Sequence, residues 1–247
     1  MGFIEPFISI GPLKIYYYGM VYAFGFFLSY WYLAKHAKKY GITKAESENL
    51  IMYLIISMVI FARIFHFAFS APSTFIQNPF ELFAVWHGGM SFYGGFLGLI
   101  IGLGLFLRKH KHAHGTKITD ALAIIGSGIL ILGRLANFIN QELVGRITDV
   151  AWCVTFETAI GCRHPYQLYA AASHVVLFLV LLFLYKRQKT TESGTLVYYF
   201  AIGYSILRFI VDFYRDDTPI LLGLTIWQII SLVTLIISVV LYKKRKT

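Results

Sequence analysis

The stretch Gly133-Arg134-Leu135-Ala136-Asn137-Phe138-Ile139-Asn140-Gln141-Glu142-Leu143-Val144-Gly145 closes an apolar run, 118–132, that reads as buried in a membrane. A guanidinium at the centre of a membrane helix costs ~2.5–3.5 kcal/mol even on the gentlest insertion scale. Arg134, followed by two Asn, a Gln and a Glu, therefore marks either a device that holds helices together or a site that uses the charge. The rest of the chain has the same membrane character. It is 57% hydrophobic and 14% charged, with a mean hydropathy of +0.66. A soluble domain carries about 25% charged residues.

Working outward, runs of about 20 apolar residues, enough to span a bilayer, fall near 15–34, 50–70, 88–107, 118–140, 166–185, 195–213 and 224–242. Lys35, Lys38, Lys39 and Lys44 follow the first, and Arg108, Lys109, Lys111 and Lys117 the third. Lys186, Arg187 and Lys189 follow the fifth, and Lys243 to Lys246 the last. Fifteen of the 22 Lys and Arg thus lie on alternate connections, while the N-terminus and the other connections hold only Lys14, Arg146, Arg163 and Arg215. The positive-inside rule then predicts an all-α integral membrane protein of seven transmembrane helices, N-terminus outside and C-terminus cytoplasmic. The net charge of +10 is topological. It implies the lipid bilayer and its anionic inner leaflet as partner, not nucleic acid.

Residues 1–14 lack a basic leader, and the first run is too long and too aromatic for a signal-peptide core, so no cleaved leader is expected. Pro6 breaks the myristoylation pattern that Met1-Gly2 could open. No repeat or low-complexity linker divides the chain, which reads as a single polytopic domain, 1–247. Cys153 and Cys162 share the outer loop between the fourth and fifth runs. A disulfide pinning that loop and two unlinked thiols are both compatible with the spacing, because sequence separation does not fix the Cα distance.

Three arginines remain inside spans: Arg63, Arg134 and Arg208. The topology places each in the outer half of its helix, Arg134 about 9 Å before Asn140 at 1.5 Å per residue. Tyr18, His87 and His164 stand at the outer entrances of other helices. The common depth points to one site facing the outer leaflet. Along the sixth run, Tyr204, Arg208, Asp212 and Arg215 fall within an arc of about 80° and read as a coupled Arg–Asp–Arg face. Arg134, Asn137 and Gln141 share a face of the fourth run, with Asn140 and Glu142 off it unless the helix unwinds near Asn140. The spans hold more guanidinium than carboxylate, so an anion is missing, and Arg forks suit phosphate. The competing reading is that the charges only pack helices.

Gly94, Gly98 and Gly102 form an iterated small-xxx-small row, read as helix packing, as are Gly126, Gly128 and Gly133. Gly88-Gly89 reads as a turn beneath a ligand. His110, His112 and His114 alternate in a basic loop with no carboxylate beside them in the sequence, which favours a solvated loop over a metal site. His66 and His174 read as satisfied core residues. Lys14 and Tyr16 to Tyr18 read as an interfacial anchor.

The segment 133–145 closely resembles the signature of the bacterial phosphatidylglycerol–prolipoprotein diacylglyceryl transferases. It is joined in order by Tyr18-Gly19, by Ala84-Val85-Trp86 leading to Gly88-Gly89-Met90-Ser91-Phe92, by Arg163-His164-Pro165 with Gln167-Leu168-Tyr169, and by Tyr204 with Arg208-Phe209. The resemblance implies seven helices around a lipid cavity that opens to the outer leaflet, in the bacterial inner (plasma) membrane. It implies transfer of the diacylglyceryl group of phosphatidylglycerol to the lipobox cysteine of a prolipoprotein signal peptide, with release of glycerol phosphate. Carried over by motif, Arg134, Asn137, Glu142, Arg208 and His164 match family positions. Tyr93 stands where many members have His, Tyr166 where others have Ser, Ala170 where others have Glu, and Asp212 where Glu is frequent.

The chemistry is a thiol, pKa near 8.5, that must become a thiolate and displace a phosphate ester at carbon. Arg134 and Arg208 are expected to stabilise the oxyanion that leaves, with Asn137 and Glu142 holding them. Asn140, Tyr18, Arg63, Gly88, Gly89, Tyr204, Asp212 and Arg215 are expected to bind substrate. His164 and Tyr93 are the candidates for the base, His164 having the better starting pKa and Tyr93 the part of orienting the phosphate. No cofactor and no metal are expected. A transporter or channel for an anionic solute is the competing class. It lacks support from an inverted repeat. A CDP-alcohol phosphatidyltransferase would need an aspartate-rich metal motif that the chain does not have.

Overall fold

The computed structural model describes residues 8–10, 13–85, 88–187 and 193–246; Trp86, His87 and Lys189 lie outside the described residues. In chain order the elements are β1 (Ile8–Ile10), β2 (Leu13–Ile15), α1 (Tyr17–Lys35), α2 (Lys44–Phe69), α3 (Pro72–Gln77), α4 (Phe92–Lys109) and α5 (Gly115–Ile139). There follow β3 (Val154–Thr155), β4 (Cys162–Arg163), α6 (Tyr166–Arg187), α7 (Leu196–Val211) and α8 (Ile226–Lys246). The strands form two short antiparallel pairs, β1 with β2 and β3 with β4. Among the described residues, five helical segments are long and apolar enough to cross a membrane: α2, α5, α6, Leu196–Tyr214 and Ile226–Arg245. In α1, Tyr17, Tyr18, Tyr22, Tyr30 and Tyr32 lower the hydropathy.

Capping shifts two predicted boundaries. α2 begins at Lys44, six residues before the apolar run, because Thr43 and Glu46 form a capping box. α4 begins only at Phe92, with Ser91 as N-cap. Gly88 and Gly89, at φ 79 and 74, are left-handed and cannot belong to a helix.

The chain groups into two compact units, Phe26–Gly115 and Met1–Gly25 with Thr116–Thr247; the boundary falls inside α1. In the first, α4 lies directly on the backbone of α2. A Cβ built on Gly94 would come within 2.3 Å of the Phe61 carbonyl oxygen, on Gly98 within 2.3 Å of that of Ser57, and on Gly102 within 2.6 Å of that of Tyr53. Lipid is as apolar as leucine, so such close approach, not hydrophobic burial, holds membrane helices together. At the other end of α2, Arg63 is buried and points all of its engaged N–H groups at loop carbonyls. Nε donates to Leu82 O (3.1 Å), Nη1 to Gly88 O and Gly89 O, and Nη2 to Glu81 O. The guanidinium also lies over the Phe67 ring, 4.7 Å from its centroid. The loop histidines do have a carboxylate after all: Glu46 Oε1 lies 2.9 Å from His112 Nε2 and 3.8 Å from His110 Nε2. It comes from the start of α2, distant in sequence.

In the second unit, Ile124 of α5, Leu177 and Leu181 of α6 and Leu196 of α7 form a buried apolar core. Polar pins hold one end. Asp120 accepts the backbone N–H groups of Gly194 (2.5 Å) and Val197 (3.1 Å), fixing the start of α7, and Thr116 and Ser193 share a hydrogen bond of 2.7 Å. A hydrogen bond to a charged group contributes ~1.5–3 kcal/mol. α8 runs antiparallel to α7, with Tyr199 bonded to Tyr242 (2.9 Å) and Gln228 to the Phe209 carbonyl (3.4 Å). The packing assigned to the α5 glycines does not hold throughout. A Cβ on Gly128 would touch Phe178 at 3.4 Å, but one on Gly126 or Gly133 would meet nothing within 4 Å. At the opposite end, Cys153 and Cys162 form a disulfide beside β3 and β4.

Candidate active site

α5 stops at Ile139, and the chain reverses in the next three residues. Gln141 takes a left-handed φ of 53, and Glu142 N–H then bonds back to Asn137 O at 2.9 Å. The left-handed conformation costs a non-glycine residue ~1–2 kcal/mol. Gln141 is anchored there by two loop contacts: its Oε1 accepts the Glu157 N–H (2.6 Å) and its carbonyl the Thr158 hydroxyl (2.8 Å). The unwinding turns Gln141 away and brings Glu142 and Asn140 to the face that carries Arg134 and Asn137.

There the polar groups form one network. Glu142 Oε2 accepts from Tyr18 Oη (2.8 Å) and Asn137 Nδ2 (3.4 Å), and Oε1 from Asn140 Nδ2 (3.2 Å). Asn137 Nδ2 also donates to Tyr18 Oη. Gln167 Nε2 holds the Glu142 carbonyl at 2.6 Å. Tyr18, a candidate substrate-binding residue as well as one of the anchor tyrosines, is thus bonded into this network. Arg134, half-buried, donates through Nη1 to Asn137 Oδ1 (3.4 Å) and through Nε to His174 Nε2 (3.5 Å). Among the described residues it has no carboxylate partner, and its Nη2 has no hydrogen bond.

Arg208 belongs to the same neighbourhood, since both guanidinium groups bear electrostatically on His174 and Tyr166. Its Nε donates to Asp212 Oδ2 at 2.8 Å, and Asp212 Oδ1, fully buried, accepts Tyr166 Oη at 2.5 Å. The two Nη groups of Arg208 make no hydrogen bond among the described residues. Tyr204 stacks on His174, ring centroids 5.5 Å apart and 10° from parallel. Two arginines, Arg134 and Arg208, stand with two carboxylates, Asp212 and Glu142, so formal charge among these four groups is even. Among the described residues the outer N–H groups of the two arginines have no hydrogen-bond partner.

Arg215 does not join Arg208 and Asp212. α7 ends at Val211, a 3-10 turn follows, and Arg215 is extended, so helical spacing no longer applies. Arg215 pairs instead with Asp217, Nε to Oδ2 at 3.0 Å, and lies over the rings of Tyr166 and Trp227. Burial lifts the Asp217 carboxyl above the ordinary value, against the pull of Arg215. His164 has contacts of its own: Nδ1 lies 3.2 Å from Tyr169 Oη, and the ring packs edge-on to Tyr214 at 5.1 Å. Arg63, Gly88, Gly89 and Tyr93 belong to the Phe26–Gly115 unit. There Arg63 clamps the glycine turn, and Tyr93 stands exposed on the first turn of α4.

The family profile described as "Prolipoprotein diacylglyceryl transferase" matches residues 5–243. The chain belongs to that family. It is 34% identical to the phosphatidylglycerol–prolipoprotein diacylglyceryl transferase of Cupriavidus metallidurans, over 95% of this chain and 90% of the relative. It is 37% identical to that of Rickettsia canadensis (95% and 94%) and 37% identical to that of Geobacter sulfurreducens (86% and 83%). Within the diacylglyceryl transferase resemblance, two of the departures, Tyr166 and Asp212, turn out to be bonded to each other: the long tyrosine reaches the short carboxylate. Sequence reasoning missed this pair and it missed His174, whose Nδ1 is buried without a hydrogen-bond partner among the described residues. A histidine in an apolar run carries no sign of which helix faces it.

Proposed function

We propose that this member of the diacylglyceryl transferase family moves the diacylglyceryl group of phosphatidylglycerol to the thiol of a lipobox cysteine on a prolipoprotein. The cysteine thiolate attacks the glyceryl carbon that bears the phosphate. The C–S bond forms, the C–O bond breaks, and the electron pair leaves on the phosphate oxygen of glycerol phosphate. The observation that carries the proposal is the pair Arg134 and Arg208, each with outer N–H groups unengaged among the described residues and inner ones held by His174, Asn137 and Asp212. A preorganised guanidinium pair of this kind stabilises oxyanion charge as it develops, without reorganisation at the moment of reaction. Tyr18, Asn137, Asn140 and Glu142 hold the frame. His164 is assigned as the base that takes the thiol proton, and Tyr93 as a hydrogen-bond donor to phosphate. Arg63 is assigned to holding the Gly88-Gly89 turn.

The alternation of basic connections supports seven crossings in a bacterial inner membrane, N-terminus outside, with a lipid cavity at the outer leaflet. The testing experiment combines purified protein, phosphatidylglycerol and a lipobox peptide, and follows a thioether-linked lipid adduct by gel shift. No adduct from an active-site-intact, folded preparation would refute the proposal.

A further inference from the structure

His174 is 2% exposed, faces Arg134 of α5 and Tyr204 of α7 from its place on α6, and is not a satisfied core residue. Its Nε2 faces the Nε–H of Arg134 at 3.5 Å. A guanidinium N–H can only donate, so Nε2 must carry the lone pair and the proton must sit on Nδ1. The ring is therefore the neutral tautomer. That Nδ1–H is buried and has no acceptor among the described residues, an arrangement that normally destabilises a fold. Stacking on Tyr204 fixes the plane of the ring. A phenyl ring would pack as well there and leave no polar atom unsatisfied. The only hydrogen bond of the imidazole among the described residues goes to Arg134.

We propose that His174 is a positioning residue for Arg134: by accepting the Nε–H it fixes the guanidinium plane and turns the two Nη groups toward the phosphate. Asn137 Oδ1 holds the same guanidinium from a second direction, at Nη1. Two fixed points define an orientation where one would leave the long side chain free to swing. The contact to Nε uses the one donor that a fork-like grip on phosphate does not need. This inference rests on the phosphate-binding role given to Arg134 above.

The experiment compares His174→Phe and His174→Gln in the transfer reaction with purified full-length protein. Phe keeps the ring and its stacking on Tyr204 and removes both polar atoms. Gln restores an acceptor near the position of Nε2. Loss of the positioning contact acts on charge that develops only in the transition state. His174→Phe is therefore expected to lower kcat roughly 10- to 100-fold, the scale of one hydrogen bond to a charged group, with KM for phosphatidylglycerol changed less than threefold by the same argument. Its thermal unfolding midpoint is expected to stay or rise. His174→Gln is expected to recover at least part of the lost kcat. Full kcat in His174→Phe would overturn the proposal, as would equal loss in both variants with a lowered midpoint, the mark of a structural residue. If His174→Phe does not accumulate, His174→Gln decides alone: near-normal kcat supports positioning, and kcat as low as an Arg134 variant refutes it. Wild-type transfer in the same assay keeps the two failures apart, since its absence would sink the phosphatidylglycerol reading and not the link between His174 and Arg134.

Discussion

Arg134→Lys keeps the positive charge and removes the planar fork. In the structure Nε and Nη1 of Arg134 are engaged with His174 and Asn137, leaving Nη2 and the second Nη1 hydrogen for an anion. A single Nζ cannot hold both inner partners and still present two parallel donors outward. The expected loss is one to two charge-assisted hydrogen bonds in the transition state, ~1.5–3 kcal/mol each, which lowers turnover roughly 10- to 10⁴-fold. The inner contacts are long, so the folded state should lose little, and the variant should insert and accumulate. Adduct formation on a lipobox peptide, measured at saturating phosphatidylglycerol and normalised to folded protein, reads the effect. Turnover within about threefold of wild type would show that Arg134 is a counter-ion for packing, and the oxyanion role assigned to the pair would fall with it.

The base is tested by His164→Gln, which should remove most activity, on the order of 10²–10⁴-fold, and flatten the acid limb of the pH–rate profile; an unchanged limb moves the role elsewhere. Tyr93→Phe should cost less than about tenfold if the hydroxyl only donates a hydrogen bond. Ile147→Cys, in an exposed loop position, should react with a membrane-impermeant maleimide in intact spheroplasts while Lys109→Cys should not; the opposite pattern overturns the topology. Gly98→Ala should lower the unfolding midpoint in detergent, because its Cβ would meet the Ser57 carbonyl at 2.3 Å, whereas Gly104→Ala, with nothing within 4 Å, should be neutral. Overpacking of this kind typically costs ~1–3 kcal/mol.

Membrane character, the apolar helical runs and the polar cluster that ends α5 were legible from one dimension. Apolar runs, the placement of cations and an arginine where hydrocarbon should be each follow from the local cost of exposing or burying a group, which depends on the residue and its near neighbours alone. Glycine rows told the same story for α4, where the contacted backbone is close, and misled for Gly126 and Gly133, where nothing approaches. Helical extrapolation held from Arg208 to Asp212 and failed at Arg215, because a helix end depends on competing backbone bonds that periodicity cannot weigh. Only the fold decided that the chain unwinds after Ile139 and returns Glu142 to Asn137 and Tyr18. It alone set Tyr166 against Asp212, gave Glu46 to the loop histidines, joined the two cysteines and placed His174 beside Arg134. Most of these are pairings between groups far apart in the chain. Hydrogen bonds are short-ranged and directional, so their partners are settled by which helix faces come together.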